Sequence, residues 1–221
     1  MIESSMSNHT AINPEPPDLD AVELSDTPST LDDNTAIEHA HLNAPFTQPI
    51  HARSIAFDQS KLTNTSLMSS TLPSSRWTDC EIQTADLSSA TWIDTRLVRV
   101  TITNTKLTGF DARGADLRDV HFKDCKAPDI LLTETKLTRV RFDHCQLTSL
   151  DLSGASIHSL AINHCDARML RLIDAKIDHL DLRDSLIDSI AISPSQLKHI
   201  TITPSQAPAL AQALGVRVVD E

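Results

Sequence analysis

The chain has no tyrosine, and aromatic residues make up only 3% of its 221 positions. A conventional globular core is hard to fill without bulky rings, which dominate the buried area of such cores. Glycine is almost as scarce, and four residues leave no material for a glycine-rich phosphate loop. No apolar run approaches the roughly 20 residues that span a bilayer. Residues 1–20 lack the basic and apolar regions of a signal peptide, so the expected location is the cytoplasm, away from membranes. The first 34 residues contain no Lys or Arg against eight acids: Glu3, Glu15, Asp18, Asp20, Glu23, Asp26, Asp32 and Asp33. Residues 35–209 hold 20 acids and 18 bases, so most of the net charge of −11 belongs to this Pro-, Ser- and Asp-rich arm. Residues 1–34 have too little apolar content to fold by themselves and are expected to be disordered in isolation.

What the sequence does have is a period. Every fifth residue from Phe57 to Ile202 is apolar, at all 30 positions. Five matches neither the 3.6 of a helix nor the 2.0 of a strand. It requires a backbone that turns a corner every five residues, and four such sides close a square coil of 20. Stacked coils then pair as parallel strands about 4.8 Å apart. A second inward column lies two residues before each centre. From Val100 onward it alternates medium or large with small: Val140, Cys145, Leu150, Ala155, Leu160, Cys165, Leu170, Ala175. Two opposite sides therefore take bulky groups and two take small ones, which packs the interior by complementary volume. Cys80, Cys125, Cys145 and Cys165 all fall in this column and read as reduced core residues rather than disulfides.

Ala85-Asp86-Leu87-Ser88-Ser89 and Ala115-Asp116-Leu117-Arg118-Asp119 resemble the A(D/N)LXX consensus of the pentapeptide-repeat proteins. The resemblance implies an all-β fold, a right-handed quadrilateral parallel β-helix. The frame covers at least residues 55–205 and extends loosely back to Ile37, which predicts a solenoid over 35–202. Residues 203–221 read as its end. Thr203-Pro204-Ser205-Gln206 is a capping box with Pro at the first helical position. A short helix to Leu214 is expected to follow, with Ala207, Leu210, Ala211 and Leu214 on one face, Gly215 as its C-cap, and residues 216–219 as a terminal strand. This segment resembles the C-terminal end of the Mfp- and Qnr-type bacterial fluoroquinolone-resistance members. That likeness implies a homodimer joined end to end through residues 203–221.

Chemistry is harder to find. Asn104, Asp124, His144, His164 and Asp184 form an outward column at corner positions, where Asp, Asn and His are common turn formers; a metal site is the lesser reading. His144-Cys145 and His164-Cys165 place the imidazole outside and the thiol inside, so neither pair can act on one substrate. The column after the centres (Thr63, Gln83, Thr103, Lys123) is no flat threonine array of the ice-binding kind. A solid-cored rod also offers no cleft to desolvate a catalytic group. The sequence therefore assigns no catalytic, cofactor-binding or metal-ligating residue, and predicts a non-enzymatic scaffold for an unidentified protein partner. The family resemblance implies an alternative, a DNA mimic that binds the type II topoisomerase gyrase. Such mimicry needs carboxylates spaced like phosphates. The outward residues of the four sides carry about −1, −1, −3 and +3, which is weakly acidic for that role. Direct nucleic-acid binding is not expected. The +3 side, with Arg96, Arg99, Arg118, Lys136, Arg139, Lys176 and Lys198, is instead a surface over which the acidic arm of residues 1–34 is expected to fold back.

Overall fold

The computed structural model describes residues 12–19, 25–26, 31–43 and 46–219. Parallel strands pair at a constant offset of 20 residues from Ala36↔Ala56 to Leu180↔Ile200, giving a β-solenoid of about eight turns. One pairing near the start breaks the offset: Ser25–Asp26 lies beside Ala40–Leu42, with Ser25 opposite Ala40.

The centres fill the interior as their period requires. Every one from Phe57 to Ile187 is buried, and so is the second inward column from Ile55 to Ile190. In the first half of the rod the filling is aromatic. Phe57 stacks on Trp77 at 4.0 Å, Trp77 on Trp92 at 4.5 Å, and Phe122 on Phe142 at 4.4 Å. Few rings are present in the sequence, yet most of them lie on this one axis. The four cysteines are free and buried. Burial pushes the Cys80 thiol up to about 12, consistent with an inert core residue.

Corners explain how strands can turn so often. Among the described residues, 22 non-glycine residues have φ between 43° and 63°, and they stand two positions after the centres or in the equivalent place of the first turn. This left-handed conformation costs roughly 1–2 kcal/mol for most side chains and least for Asn, Asp and Gly. Seven of the 22 are Asp, with further Asn, Ser and His. The column Asn104, Asp124, His144, His164 and Asp184 is one such corner throughout. Corner amides regain hydrogen bonds from the next coil, as in Gln59 N–H to Thr78 O at 3.0 Å and Asp124 N–H to Asp143 O at 3.0 Å.

Four strands continue through a corner without breaking: Arg76–Gln83, Arg96–Thr103, Asp116–Lys123 and Lys136–Asp143. Beyond them two of the four corner columns lose the positive φ, after Asp129 and after Arg139. The inward residues that follow the altered corners are Leu150, Leu160, Leu170, Leu180 and Ile190, all buried. Bulky members also follow corners that keep positive φ, as Phe110 follows Gly109 and Ile130 follows Asp129.

The last coil departs from the expected frame. The five-residue pattern predicts Ser195 inside and Leu197 as a centre, but Pro194–His199 is a 3₁₀ turn that exposes Ser195 and leaves Leu197 half-buried. Pro194 has no N–H to add to the ladder. The motif is Ser193-Pro194-Ser195-Gln196, a twin of Thr203-Pro204-Ser205-Gln206 ten residues later. In each, the glutamine Oε1 accepts the N–H of the Ser or Thr, at 2.7 and 2.8 Å. Its Nε2 donates to two carbonyls of the previous coil: Gln196 to Leu172 and Ala175, Gln206 to Leu182 and Ser185. Two buried amide side chains therefore do at the rod's end what a further coil would do. The α-helix Ala207–Ala213 follows a 3₁₀ turn at Pro204–Gln206, and Gly215 closes it at φ 78°. Its inward face is Ala209, Leu210 and Ala211, whereas Ala207 and Leu214 are exposed. Residues 216–219 form no strand, in contrast to the expectation: Val216 N–H turns back to Ala211 O at 3.0 Å, and Val216, Val218 and Val219 are exposed.

Candidate interaction surface

The most built feature on the outside of the rod is one corner column on its basic side. Gln59, Asp79, Arg99, Asp119 and Arg139 succeed one another at 20-residue intervals, all in the left-handed conformation. They join in pairs. The Arg99 guanidinium donates through Nε and Nη2 to both oxygens of Asp79, each at 2.6 Å, and Arg139 grips Asp119 the same way at 2.5 Å. Both carboxylates are buried, and both arginines are partly exposed. Burial would raise each Asp, but the fork of hydrogen bonds and positive charge from its arginine outweighs this and holds both below the ordinary carboxylate range.

Residues 12–19 of the acidic arm lie on this column. Asp18 N–H donates to Asp79 Oδ1 at 3.0 Å, and Glu15 N–H donates to Asp119 Oδ1 at 3.2 Å. Gln59 Nε2 donates to the Asp18 carbonyl at 3.1 Å, and Ile12 is buried. Sequence reasoning named the basic side as the place where the arm folds back. It missed that the contact runs through the two corner carboxylates and the backbone of the arm. An Asp/Arg alternation at 20-residue spacing was the available signal. Residues 1–11, 20–24 and 27–30 lie outside the described residues.

Elsewhere about half of the acids of the rod are neutralised locally. Asp86 meets Lys106, Asp111 meets Arg113, Asp116 meets Arg96, Asp151 meets Arg171, and Asp181 meets Arg183, at 2.7–3.6 Å. On the most acidic side Asp94, Glu134 and Asp174 occupy a corner column in which Gly114 and Gly154 alternate with them. A Cβ on Gly114 would lie 2.4 Å from Asp94 Oδ1, so the glycine makes room for that carboxylate.

Of the suspected metal column, the structure stacks His144 on His164 at 4.9 Å with ring planes 4° apart. It adds Asp143, whose Oδ1 lies 3.2 Å from His144 Nδ1 and 3.5 Å from His164 Nδ1. Asp124 and Asp184 do not join this group. A ring nitrogen offers its lone pair in the plane of the ring, and two stacked parallel planes share no point where one ion meets both. An open groove of about 340 Å³ is lined by Asn64, Thr84, Asp86, Asn104, Lys106 and Asp124.

Two family models match the chain: a pentapeptide repeat region over residues 135–208, and pentapeptide repeats in eight copies over residues 80–119 and 95–128. Together these cover more than half of the sequence, and the 20-residue register runs through all of it. The chain is a pentapeptide-repeat protein. No curated protein matches it. Among solved structures it is similar to a trypsin-treated variant of QnrB1, a plasmid-mediated fluoroquinolone resistance protein, with 16% identity over 88% of this chain and 96% of that one and a TM-score of 0.41. It is also similar to HetL, a pentapeptide-repeat protein involved in heterocyst differentiation regulation from the cyanobacterium Nostoc sp. strain PCC 7120. That match has 18% identity over 72% of this chain and 73% of that one, with a TM-score of 0.40. A third is Rfr23 from the cyanobacterium Cyanothece 51142, at 15% identity over 66% and 90% and a TM-score of 0.23. Among the described residues of this pentapeptide-repeat chain, no helix is long and apolar enough to cross a membrane.

Proposed function

We propose that this pentapeptide-repeat protein is a non-enzymatic, cytoplasmic scaffold whose rigid lateral sides hold a protein partner. The observation that carries the reading is a side chain column organised for contact, the paired Asp and Arg corner, on a rod whose interior is filled by its own centres. Recognition falls to the outward sides, where charge and backbone acceptors are fixed by the coil register. A second copy is a further proposed partner, joined through the C-terminal end, where Leu214, Val216, Val218 and Val219 are exposed.

The DNA-mimic reading, with gyrase as target, has less behind it. A phosphate imitation needs a long row of unneutralised carboxylates, whereas Asp94, Glu134 and Asp174 recur only at every second coil and the side-chain acids beside them pair with bases. Charge reversal tests the scaffold directly. A partner retained by the immobilised full chain should be lost when Arg96, Arg118 and Lys136 become Glu, and kept when Asp94, Glu134 and Asp174 become Lys. A partner held equally by both variants would sink the lateral-side reading. Inhibition of gyrase supercoiling at low micromolar protein would put the mimic in its place.

A further inference from the structure

The contact between residues 12–19 and the rod has the properties of a recognition site rather than of a tail laid at random. The same geometry occurs twice. In each case an arginine Nε and a backbone N–H of the arm converge on the Oδ1 atom of one corner aspartate. The two acceptors, Asp79 and Asp119, are two coils apart, about 9.6 Å at the spacing of paired strands. The two donors, Glu15 and Asp18, are three residues apart, which in a polyproline II helix is one turn of about 9.3 Å. The arm's sequence enforces that helix. Pro14, Pro16 and Pro17 fix their own φ and push Asn13 and Glu15 to the extended region. A proline-rich segment thus repeats at nearly the pitch of every second coil. The register leaves Glu15 and Asp18 as the amides that face the carboxylates, while the prolines between them have no N–H to leave unpaired. The segment runs against the coil order, with Asp18 at the earlier coil and Glu15 at the later one. Glu15 also lies close enough to Arg99 and Arg139 for its charge to act on both.

None of these contacts depends on being in the same chain. We propose that the corner column of Gln59, Asp79, Arg99, Asp119 and Arg139 is a binding lane for extended, proline-rich, acidic segments of a partner protein, and that residues 12–19 occupy it in cis as a built-in competitor. The lane recognises a partner by two backbone amides one polyproline turn apart and by a carboxylate set between two arginines. Its affinity for an outside segment is set by how firmly the arm is held. The proposal rests on the lateral-scaffold reading and narrows it to one corner and one class of ligand.

Proline substitution in the arm releases it from the lane. Glu15→Pro with Asp18→Pro makes residues 14–18 an unbroken proline run, which keeps the extended helix and removes the two N–H groups together with the two carboxylates. The probe is a fluorescein-labelled synthetic peptide with the sequence of residues 11–20, titrated by anisotropy into the full chain. It should bind the double-proline protein at least tenfold more tightly than it binds the wild type. Binding should weaken as salt rises, since Glu15 is set between two arginines. Adding Asp79→Asn and Asp119→Asn to the double-proline protein should abolish it. A second peptide carrying the same two prolines should bind neither protein, a control that changes no residue of the rod. Equal affinity for wild type and variant, no binding to either, or full binding of the donor-less peptide would each overturn the proposal. Any of these results leaves the charge-reversal outcome untouched, so failure of the lane and failure of the scaffold are told apart.

Discussion

The two halves of this rod reach the same cross-section by different means. In residues 55–143 the axis is filled by stacked rings, and the strands run eight residues through a corner held at positive φ. In residues 149–201 no aromatic residue remains, the strands shorten to two to four residues, and two of the four corners relax. Bulk behind the corner does not decide this difference by itself. Phe110 follows Gly109 and Ile130 follows Asp129, both at positive φ, whereas Leu160 and Leu180 follow corners without it. The difference has an outward consequence. Only the tight corners project Asp79, Arg99, Asp119 and Arg139 in register, and the same column continues as Ser159 and His179 without the positive φ. The first half therefore carries the charged column with the docked arm, and the second half carries the cap.

Substitutions sharpen that contrast. The largest effect is expected from a charge in the shared interior: Leu132→Asp or Ile162→Asp buries an unpaired carboxylate at a fully enclosed centre and should abolish the folded state of either half. Circular dichroism reads the loss of β signal. Next, Trp77→Ala removes a ring stacked on both neighbours and should cost about 3–5 kcal/mol, against about 2–5 for Leu172→Ala in the aliphatic half. Chemical denaturation monitored by fluorescence and far-UV dichroism checks the pair. Because solenoids unfold by units, Trp77→Ala should detach the first half while the second persists. Arg139→Ala leaves the Asp119 carboxylate buried without its partner. The expected cost is about 2 kcal/mol, below that of a fully enclosed pair because the guanidinium is partly solvated.

The pH dependence has a definite sign. Asp79 and Asp119 are held below the usual range in the folded chain, so their contribution is complete above about pH 4, the unfolded value, and is lost as pH falls through the depressed one. The arm should therefore leave the column in acid before the coils of the second half open. The smallest predicted effect separates the corner types. Ser89 has φ 56° whereas Ser149 begins a strand, so Ser89→Gly should be neutral to about 0.5 kcal/mol stabilising, and Ser149→Gly should cost about 0.5–1 kcal/mol. Thermal melts of the two variants should move in different directions.

The architecture was legible because one inward side chain per side leaves a period that no other backbone satisfies. The change of corner was not legible: the large and small alternation after Val100 was visible, but it runs through tight and relaxed corners alike. Ser193 to Gln196 was read through as another pentad, because Leu197 keeps the apolar period while Pro194 breaks the ladder. The strand expected at 216–219 came from β-branched residues alone, and propensity does not supply a pairing partner. The column on the basic side was read as net charge, although its Asp/Arg alternation at 20-residue spacing stands in the sequence. Its pairing of aspartate with arginine two layers at a time depends on which corners turn tightly, and single-residue composition does not carry that.

Hydrogen exchange at the arm puts the central claim to its most direct test. In a peptic fragment spanning residues 12–19 of the full chain, the amides of Glu15 and Asp18 should be protected near neutral pH. That protection should vanish in the Asp79→Asn, Asp119→Asn variant while the coils of residues 76–143 stay protected. Exchange of both amides at the rate of an unstructured peptide in the wild-type chain would contradict the account.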